Sequence, residues 1–338
     1  MTNDPPRVLL NGCWDLAHVG HFNAVRQVAR VRDQMFPGGH VIAGIHPNSE
    51  ILRVKGGYFV FNEEEKKIML LACKWVDGVV ENVPYTPVSP SLLDREDVRC
   101  NVAVHGDDPV ILADGTDMYK PIRDAGRYVE IRRSECISTT TLINRILSLG
   151  RPDRVPPESE SFSATARRFK EFAEPFTSMI EKANRVVYVA GNFDLLHPGH
   201  VEVLKRAAAC GDFLMVGVLK MTDATEVLTE SERALSLLSC RYVDDVILSA
   251  PKEPSADFLR AFGIKVWVRI ENHDDFEILK ADRSVEDVEV AKIDGSDIPC
   301  TTRKLVGRVL DSRATFEKRN SLKKNPRMSL VENHRLSA

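Results

Sequence analysis

Nothing in this chain is apolar for long enough to cross a membrane: no run approaches the roughly 18–20 residues that a spanning helix needs. The opening Met-Thr-Asn-Asp-Pro-Pro lacks the basic-then-apolar pattern of a secretory signal, which makes the cytosol the expected compartment. The seven cysteines are odd in number and scattered, and no Cys-x-x-Cys pair occurs. That argues against a structural zinc site and a disulfide framework, and for reduced, buried thiols. Excess charge of one sign is missing too: a net charge of −3 does not suit a protein that holds nucleic acid by bulk electrostatics. There is no Gly-x-x-x-x-Gly-Lys-Ser/Thr loop, so γ-phosphate cleavage of the P-loop kind is not expected. No serine or cysteine stands in a recognisable arrangement with an orienting base and acid. What is present is a chain of 338 residues, 43% hydrophobic and 28% charged, the size and balance of two globular domains.

One stretch organises the rest. Val8, Leu9 and Leu10 read as a buried strand and Phe22 to Val31 as a helix, joined by Asn11-Gly-Cys-Trp-Asp-Leu-Ala-His-Val-Gly-His21. A strand, a small turn and a helix start make an anion site, because backbone N–H groups and the positive helix end face the ligand. His18 and His21 are three residues apart at that helix start, so both can point into one pocket. The stretch recurs as Gly191-Asn-Phe-Asp-Leu-Leu-His-Pro-Gly-His200, after the strand-like Val186 to Val189.

Strand-like and helix-like segments alternate onward from the first turn. His40–Ile45, Asp77–Val80, Cys100–Val104 and Tyr128–Ile131 read as strands of a parallel sheet with right-handed crossovers. Lys55-Gly56-Gly57 reads as a loop, and Asn62 with Glu65 has the spacing of a capping box. His105-Gly106-Asp107-Asp108 follows a strand and belongs in the crevice at the carboxyl ends of the strands, with His18 and His21. Ser138-Thr139-Thr140 precedes the helical run Leu142–Leu149, as a cap, a phosphate grip or both.

The second half repeats the first. Cys240-Arg-Tyr-Val-Asp244 matches Cys73-Lys-Trp-Val-Asp77, and Cys300-Thr301-Thr302 matches Ser138-Thr139-Thr140. The second copy has no counterpart of Lys55, has Val268-Arg269-Ile270 in place of the acidic loop, and has Gly295 in place of Arg133. The expected organisation is α/β, with two tandem Rossmann-like domains on parallel sheets. A catalytic copy spans 7–150, a proline-rich linker 151–184 and a degenerate copy 185–312. Within the linker, Phe169, Phe172 and Phe176 lie at helical spacing and suggest packing. Residues 313–338 are basic and poor in apolar residues, and are expected to be a disordered tail.

Taken singly, these residues have ordinary explanations: a histidine bonding at a helix start, a surface lysine, two aspartates in a turn. Together, His18, His21, Lys55, Asp107, Asp108, Arg133 and the hydroxyls of 138–140 suit a nucleoside triphosphate with a divalent cation. With no covalent nucleophile in view, the expected chemistry is in-line attack by a bound acceptor on the α-phosphorus, pyrophosphate leaving.

The motifs Gly12-Cys-Trp-Asp-Leu-Ala-His-Val-Gly-His21, Lys55-Gly56, Trp75-Val-Asp77, Pro84-Tyr85, His105-Gly-Asp-Asp108, Ala125-Gly-Arg-Tyr128 and Arg133…Ile137-Ser-Thr-Thr140 extend this reading. They resemble those of the CTP:phosphoethanolamine cytidylyltransferases, a eukaryotic family with two tandem nucleotidylyltransferase folds. The duplication and the Ser-Ala-Thr-Ala-Arg-Arg-Phe segment at 163–169 set it apart from single-domain choline and glycerol-phosphate relatives, and Tyr85 stands where choline enzymes tend to carry Trp.

The resemblance implies CMP transfer from CTP to phosphoethanolamine for phosphatidylethanolamine synthesis. It implies catalytic roles for His18, His21, Lys55 and Arg133. Nucleotide contacts would come from Gly12, Cys13, Trp14, Asp15, Gly20, His105, Gly106, Asp107, Ser138, Thr139 and Thr140. Acceptor contacts would come from Lys55, Tyr85, Asp107 and Asp108. Mg²⁺ would be held by the CTP phosphates rather than by a metal site of the protein. Cytoplasmic location, peripheral association with the endoplasmic reticulum and a homodimer are compatible with the resemblance; nucleic acid is not an expected partner. The second copy would supply at most a weak nucleotide site from Asn192, Phe193, Asp194, His197, His200, Thr301 and Thr302. Trp14 for Phe or Tyr, Cys136 for Gly and Asn11 for Asp depart from the family pattern. Phosphocholine or another phosphomonoester as acceptor, and a non-catalytic nucleotide-binding scaffold, are the competing readings. The class I aminoacyl-tRNA synthetases share the histidine turn, but no anticodon-binding domain or Lys-Met-Ser-Lys-Ser loop is visible.

Overall fold

The computed structural model describes residues 4–55, 58–86, 88–111, 115–135, 137–151, 154, 164–174, 182–220, 226–276 and 287–324. The side chains of Lys55 and of 322–324, and with them the reading of Lys55 as a phosphate contact, lie outside the described residues, as do Cys136 and Phe176.

Two five-stranded sheets form. In the first, β1 (Arg7–Gly12), β2 (His40–Ile45), β3 (Gly78–Val80), β4 (Val102–Gly106) and β5 (Tyr128–Ile131) lie in the order β3-β2-β1-β4-β5. In the second, β6 (Val186–Gly191), β7 (Phe213–Leu219), β8 (Asp245–Ala250), β9 (Ile264–Glu271) and β10 (Glu289–Asp294) repeat that order as β8-β7-β6-β9-β10. Every pairing is parallel. Such sheets are covered on both faces, which is why β1 is apolar without alternation: Val8 and Leu10 face one core cluster and Leu9 another. Chain order reverses between β1 and β4, and again between β6 and β9. The crevice past the carboxyl ends of those strands is therefore the place for a ligand in each copy.

The copies pack on each other about a pseudo-twofold axis. Lys74 N–H donates to Ser239 O (2.9 Å) and Arg241 N–H to Ala72 O (2.8 Å), and those pairs are equivalent by the same offset, 239 − 72 = 167 and 241 − 74 = 167. Side chains obey the same exchange. Arg145, near the end of helix Thr139–Leu147, bonds Glu232 of the second copy at 2.7 and 3.3 Å. Arg308, on helix Thr302–Asp311, bonds Glu65 of the first at 2.7 and 2.8 Å. Both glutamates are also the third residue of a capping box, with Thr229 and Asn62. This is an isologous interface built inside one chain, and a single hydrophobic cluster runs through it from Val8 to Phe316.

Several boundaries move. The first helix begins at Val19, capped by His18, and runs to Met35. Lys55 ends a helix (Asn48–Lys55) instead of starting a loop. Helix Ala166–Ala173 in the linker buries Phe172 against Trp75 and pairs Glu171 with Arg26 at 3.1 Å. The largest correction is at the far end. The first part of the segment expected to be a disordered tail continues as helix Arg313–Lys324, with Phe316 buried and Asn320 Nδ2 donating to Asn144 Oδ1 at 2.7 Å, while residues 325–338 lie outside the described residues. Its charged residues lie around one apolar anchor, so composition alone hid a docked helix.

Candidate active site

The turn after β1 is strained in a repeated way. Trp14 and Leu16 take left-handed φ of 52° and 47°, and Phe193 and Leu195 take 50° and 51°. Non-glycine residues are held there only when the surroundings dictate it. Here Trp14 is buried with its Nε1–H on Gly44 O at 2.8 Å. The result is a tight loop that delivers a histidine to the helix start.

His18 is that residue, and its protonation is fixed by geometry. Its Nδ1 accepts from Gly20 N–H at 3.1 Å, so the neutral ring carries its proton on Nε2. Burial holds the ring well below the usual histidine pKa, helped by the positive charges of His21, Arg133 and Arg145. Nε2 is buried without an acceptor among the described residues, and the His21 ring stacks on the His18 ring at 3.9 Å. A buried N–H with no acceptor, beside a helix N-terminus, is a donor prepared for an anion.

Around it lies a pocket of about 570 Å³, inside the range of small-ligand sites. It gathers Gly12, Cys13, Trp14, Asp15, Gly20, Tyr85, His105, Gly106, Asp108, Arg133 and residues 138–140, as the sequence proposed. Two of the expected contacts are set differently. Asp15 spends Oδ1 on the N–H groups of Val60 and Phe61 (2.9 and 2.8 Å), so it fastens a loop. Asp107 does not line the pocket: its carboxylate accepts from Arg133 N–H at 2.9 Å while Asp108 pairs with the Arg133 guanidinium at 2.6 Å. The acidic loop thus positions an arginine that is itself well exposed at the mouth.

Ser138 caps the helix that starts at Thr139, and Thr139 Oγ1 donates to Asp15 O at 3.0 Å. Sequence reasoning missed further lining residues, among them aromatic, imidazole and guanidinium groups. They include His46, whose ring lies 5.0 Å from that of Tyr85, Tyr119, and Tyr58 with Arg319, which bond each other. His46 directly follows β2, a position the crevice rule would have flagged; Arg319 had no signal.

The second copy is built alike and filled from within. Thr302 Oγ1 donates to Asp194 O at 3.0 Å and Thr301 caps the helix, so Thr301 corresponds to Ser138 and Thr302 to Thr139, an offset of 301 − 138 = 163. The sequence alignment of these hydroxyls was one residue out. His197 Nδ1 accepts from Gly199 and His200 N–H, which again leaves the proton on Nε2. That N–H meets Asp275 Oδ2 at 3.0 Å, and Thr302 N–H reaches the same carboxylate at 3.0 and 3.1 Å. Burial works against the Asp275 charge, yet these donors and the His200 ring hold its pKa well below the usual range.

The second copy therefore does have an acidic loop, beyond the longer β9, and its carboxylate accepts from His197 Nε2, whose counterpart His18 Nε2 has no partner among the described residues. His197 and His200, expected to belong to a weak nucleotide site, are fully buried here. His197, His200 and Asp275 are close enough to hold a metal ion. The His197 tautomer opposes this, because a ligating nitrogen cannot keep its proton.

The family model for cytidylyltransferase-like proteins matches residues 9–145 and 188–319. An ethanolamine-phosphate cytidylyltransferase of Dictyostelium discoideum is 33% identical over 98% of this chain and 98% of its own length. One from Arabidopsis thaliana is 31% identical over 94% of this chain and 83% of its own length. The chain belongs to the ethanolamine-phosphate cytidylyltransferase family. A probable choline-phosphate cytidylyltransferase of Schizosaccharomyces pombe is 36% identical but aligns over only 43% of the chain. The alignment with that choline relative covers less than half of this chain, whereas those with the two ethanolamine relatives run through both copies. Among the described residues no helix is long and apolar enough to span a membrane.

Proposed function

We propose that the first copy transfers CMP from CTP to phosphoethanolamine. An acceptor phosphate oxygen attacks the α-phosphorus, the new P–O bond completes CDP-ethanolamine, and the broken bond releases pyrophosphate. The carrying observation is the donor pair of His18 Nε2 and the Thr139 helix start, whose counterparts in the second copy close on one carboxylate oxygen pair. By that equivalence a phosphoryl oxygen would take two hydrogen bonds in the first copy, which stabilise charge as it builds in the transition state. His21 backs the same group, and Arg133, oriented by Asp107 and Asp108, neutralises charge at the mouth. Lys55 fits the same role by motif.

Tyr85 and Tyr119 line the pocket and offer aromatic faces to the acceptor's ammonium. Mg²⁺ enters as part of the Mg·CTP substrate. Asp15 and Asp108 are engaged by backbone N–H groups and Arg133, and the N–H groups of the pocket suit phosphate oxygens rather than a cation. The reaction would belong to phosphatidylethanolamine synthesis in the cytoplasm. The second copy, filled by Asp275, would not turn over.

Purified protein with CTP and a panel of phosphomonoesters tests this reading. Pyrophosphate is expected with phosphoethanolamine, and much less with phosphocholine or glycerol phosphate. Release with phosphocholine alone would refute the acceptor, and no CTP-dependent release with any of them would favour a scaffold.

A further inference from the structure

Arg319 reaches the first copy's pocket from the last helix of the second. That helix is held in place by Phe316, buried in the shared core, and by Asn320 on Asn144 of helix Thr139–Leu147. It is also tied by Arg313, whose guanidinium donates to Leu147 O at 3.0 Å. The helix it leans on is the one whose N-terminus carries Thr139 and Thr140. Arg319 is therefore positioned by the same scaffold as the expected phosphate grip.

Its surroundings do not use it up. Nη1 donates to Tyr58 O at 3.2 Å, and the guanidinium carbon lies 5.0 Å from the Phe316 ring centre. Nη2 is buried without a hydrogen-bond partner among the described residues, in a side chain that lines the pocket. The nearby carboxylate, Asp15, attracts it electrostatically but takes its hydrogen bonds from Val60 and Phe61. A buried guanidinium N–H without an acceptor is costly unless an anion supplies one. The anion this pocket receives is a triphosphate.

We infer that Arg319 is a phosphate-binding residue of the first copy's active site, contributed by the second copy, and that it holds the β,γ end of CTP. The inference rests on the reading that this pocket binds CTP. On this account the closed second copy carries a cation across the pseudo-twofold interface and completes its neighbour's site.

The test compares Mg·CTP and CMP binding to the full chain, Arg319→Gln and Arg319→Lys, together with KM for both substrates. One charged hydrogen bond to phosphate corresponds to about a tenfold loss of CTP affinity in Arg319→Gln. CMP, which lacks the β,γ phosphates, should bind as tightly as before. The KM for CTP should rise while that for phosphoethanolamine and the melting temperature stay put, and Arg319→Lys should recover part of the loss. Unchanged CTP binding in Arg319→Gln would overturn the inference. So would equal losses for CTP and CMP with a lowered melting temperature in both variants, which would mark a structural role. His18→Ala separates the levels. If it is impaired while Arg319→Gln behaves as wild type, only the Arg319 inference fails; if it too binds and turns over normally, the reading of the pocket falls as well.

Discussion

Replacing His18 with alanine is expected to lower kcat/KM by about 10²–10³-fold, the usual cost of removing one donor that faces a developing negative charge. The size follows from where the proton sits. Gly20 N–H occupies Nδ1, so Nε2–H is the ring's only outward donor, and it is buried with no acceptor among the described residues. His18 is also the N-cap of Val19–Met35, so alanine should cost about 1 kcal/mol of stability in addition. His18→Asn divides the two effects. An asparagine oxygen can accept from Gly20 N–H and keep the cap, but its short amide cannot reach where Nε2 lies. Melting temperature should return to near wild type in His18→Asn, and turnover should not. If asparagine restored activity along with stability, His18 would be a structural cap only.

The largest effect on stability is expected from Glu232→Ala. Glu232 is fully buried, its carboxylate is shared between Arg145 and the capping box with Thr229, and the Arg145 side chain is 9% exposed. Removing the carboxylate takes the counter-charge from a buried guanidinium that keeps only neutral acceptors such as Val227 O, and should cost about 3–5 kcal/mol in chemical denaturation. The pseudo-equivalent Glu65→Ala should cost nearer ~1 kcal/mol, because its partner Arg308 is 40% exposed and can turn to water. Equal losses would mean that the interface is not organised as described. Because Arg319 is carried by the second copy, Glu232→Ala should also raise the KM for CTP in the folded fraction.

The sequence was readable where chemistry and local geometry coincide. The turn at Asn11–His21 and its echo, the capping box at Asn62, and the strands that become β1 and β2 all depend on neighbours within a few residues. Helix Arg313–Lys324 was not readable, because one buried phenylalanine among charged residues does not make a visible period. Asp275 was hidden differently. Its partner His197 lies 78 residues away, and the two meet only beyond the end of β9, past the point where Val268-Arg269-Ile270 aligns with the first copy's acidic loop. Asp15 shows the converse: a motif residue in the right place, lining the pocket, whose Oδ1 is also taken by the backbone of Val60 and Phe61, a use the motif did not reveal.

One observation changes the meaning of the duplicated histidine turn. In the first copy its donors face an open pocket; in the second the same donors are satisfied by a carboxylate of the chain itself. Counting CTP bound at saturation, per chain of the intact protein, tests that contrast directly. One CTP per chain is expected in the wild type, still one but bound more weakly in His18→Ala, and a second, phosphate-competed site is expected to open in Asp275→Ala. Two CTP per wild-type chain would contradict the account.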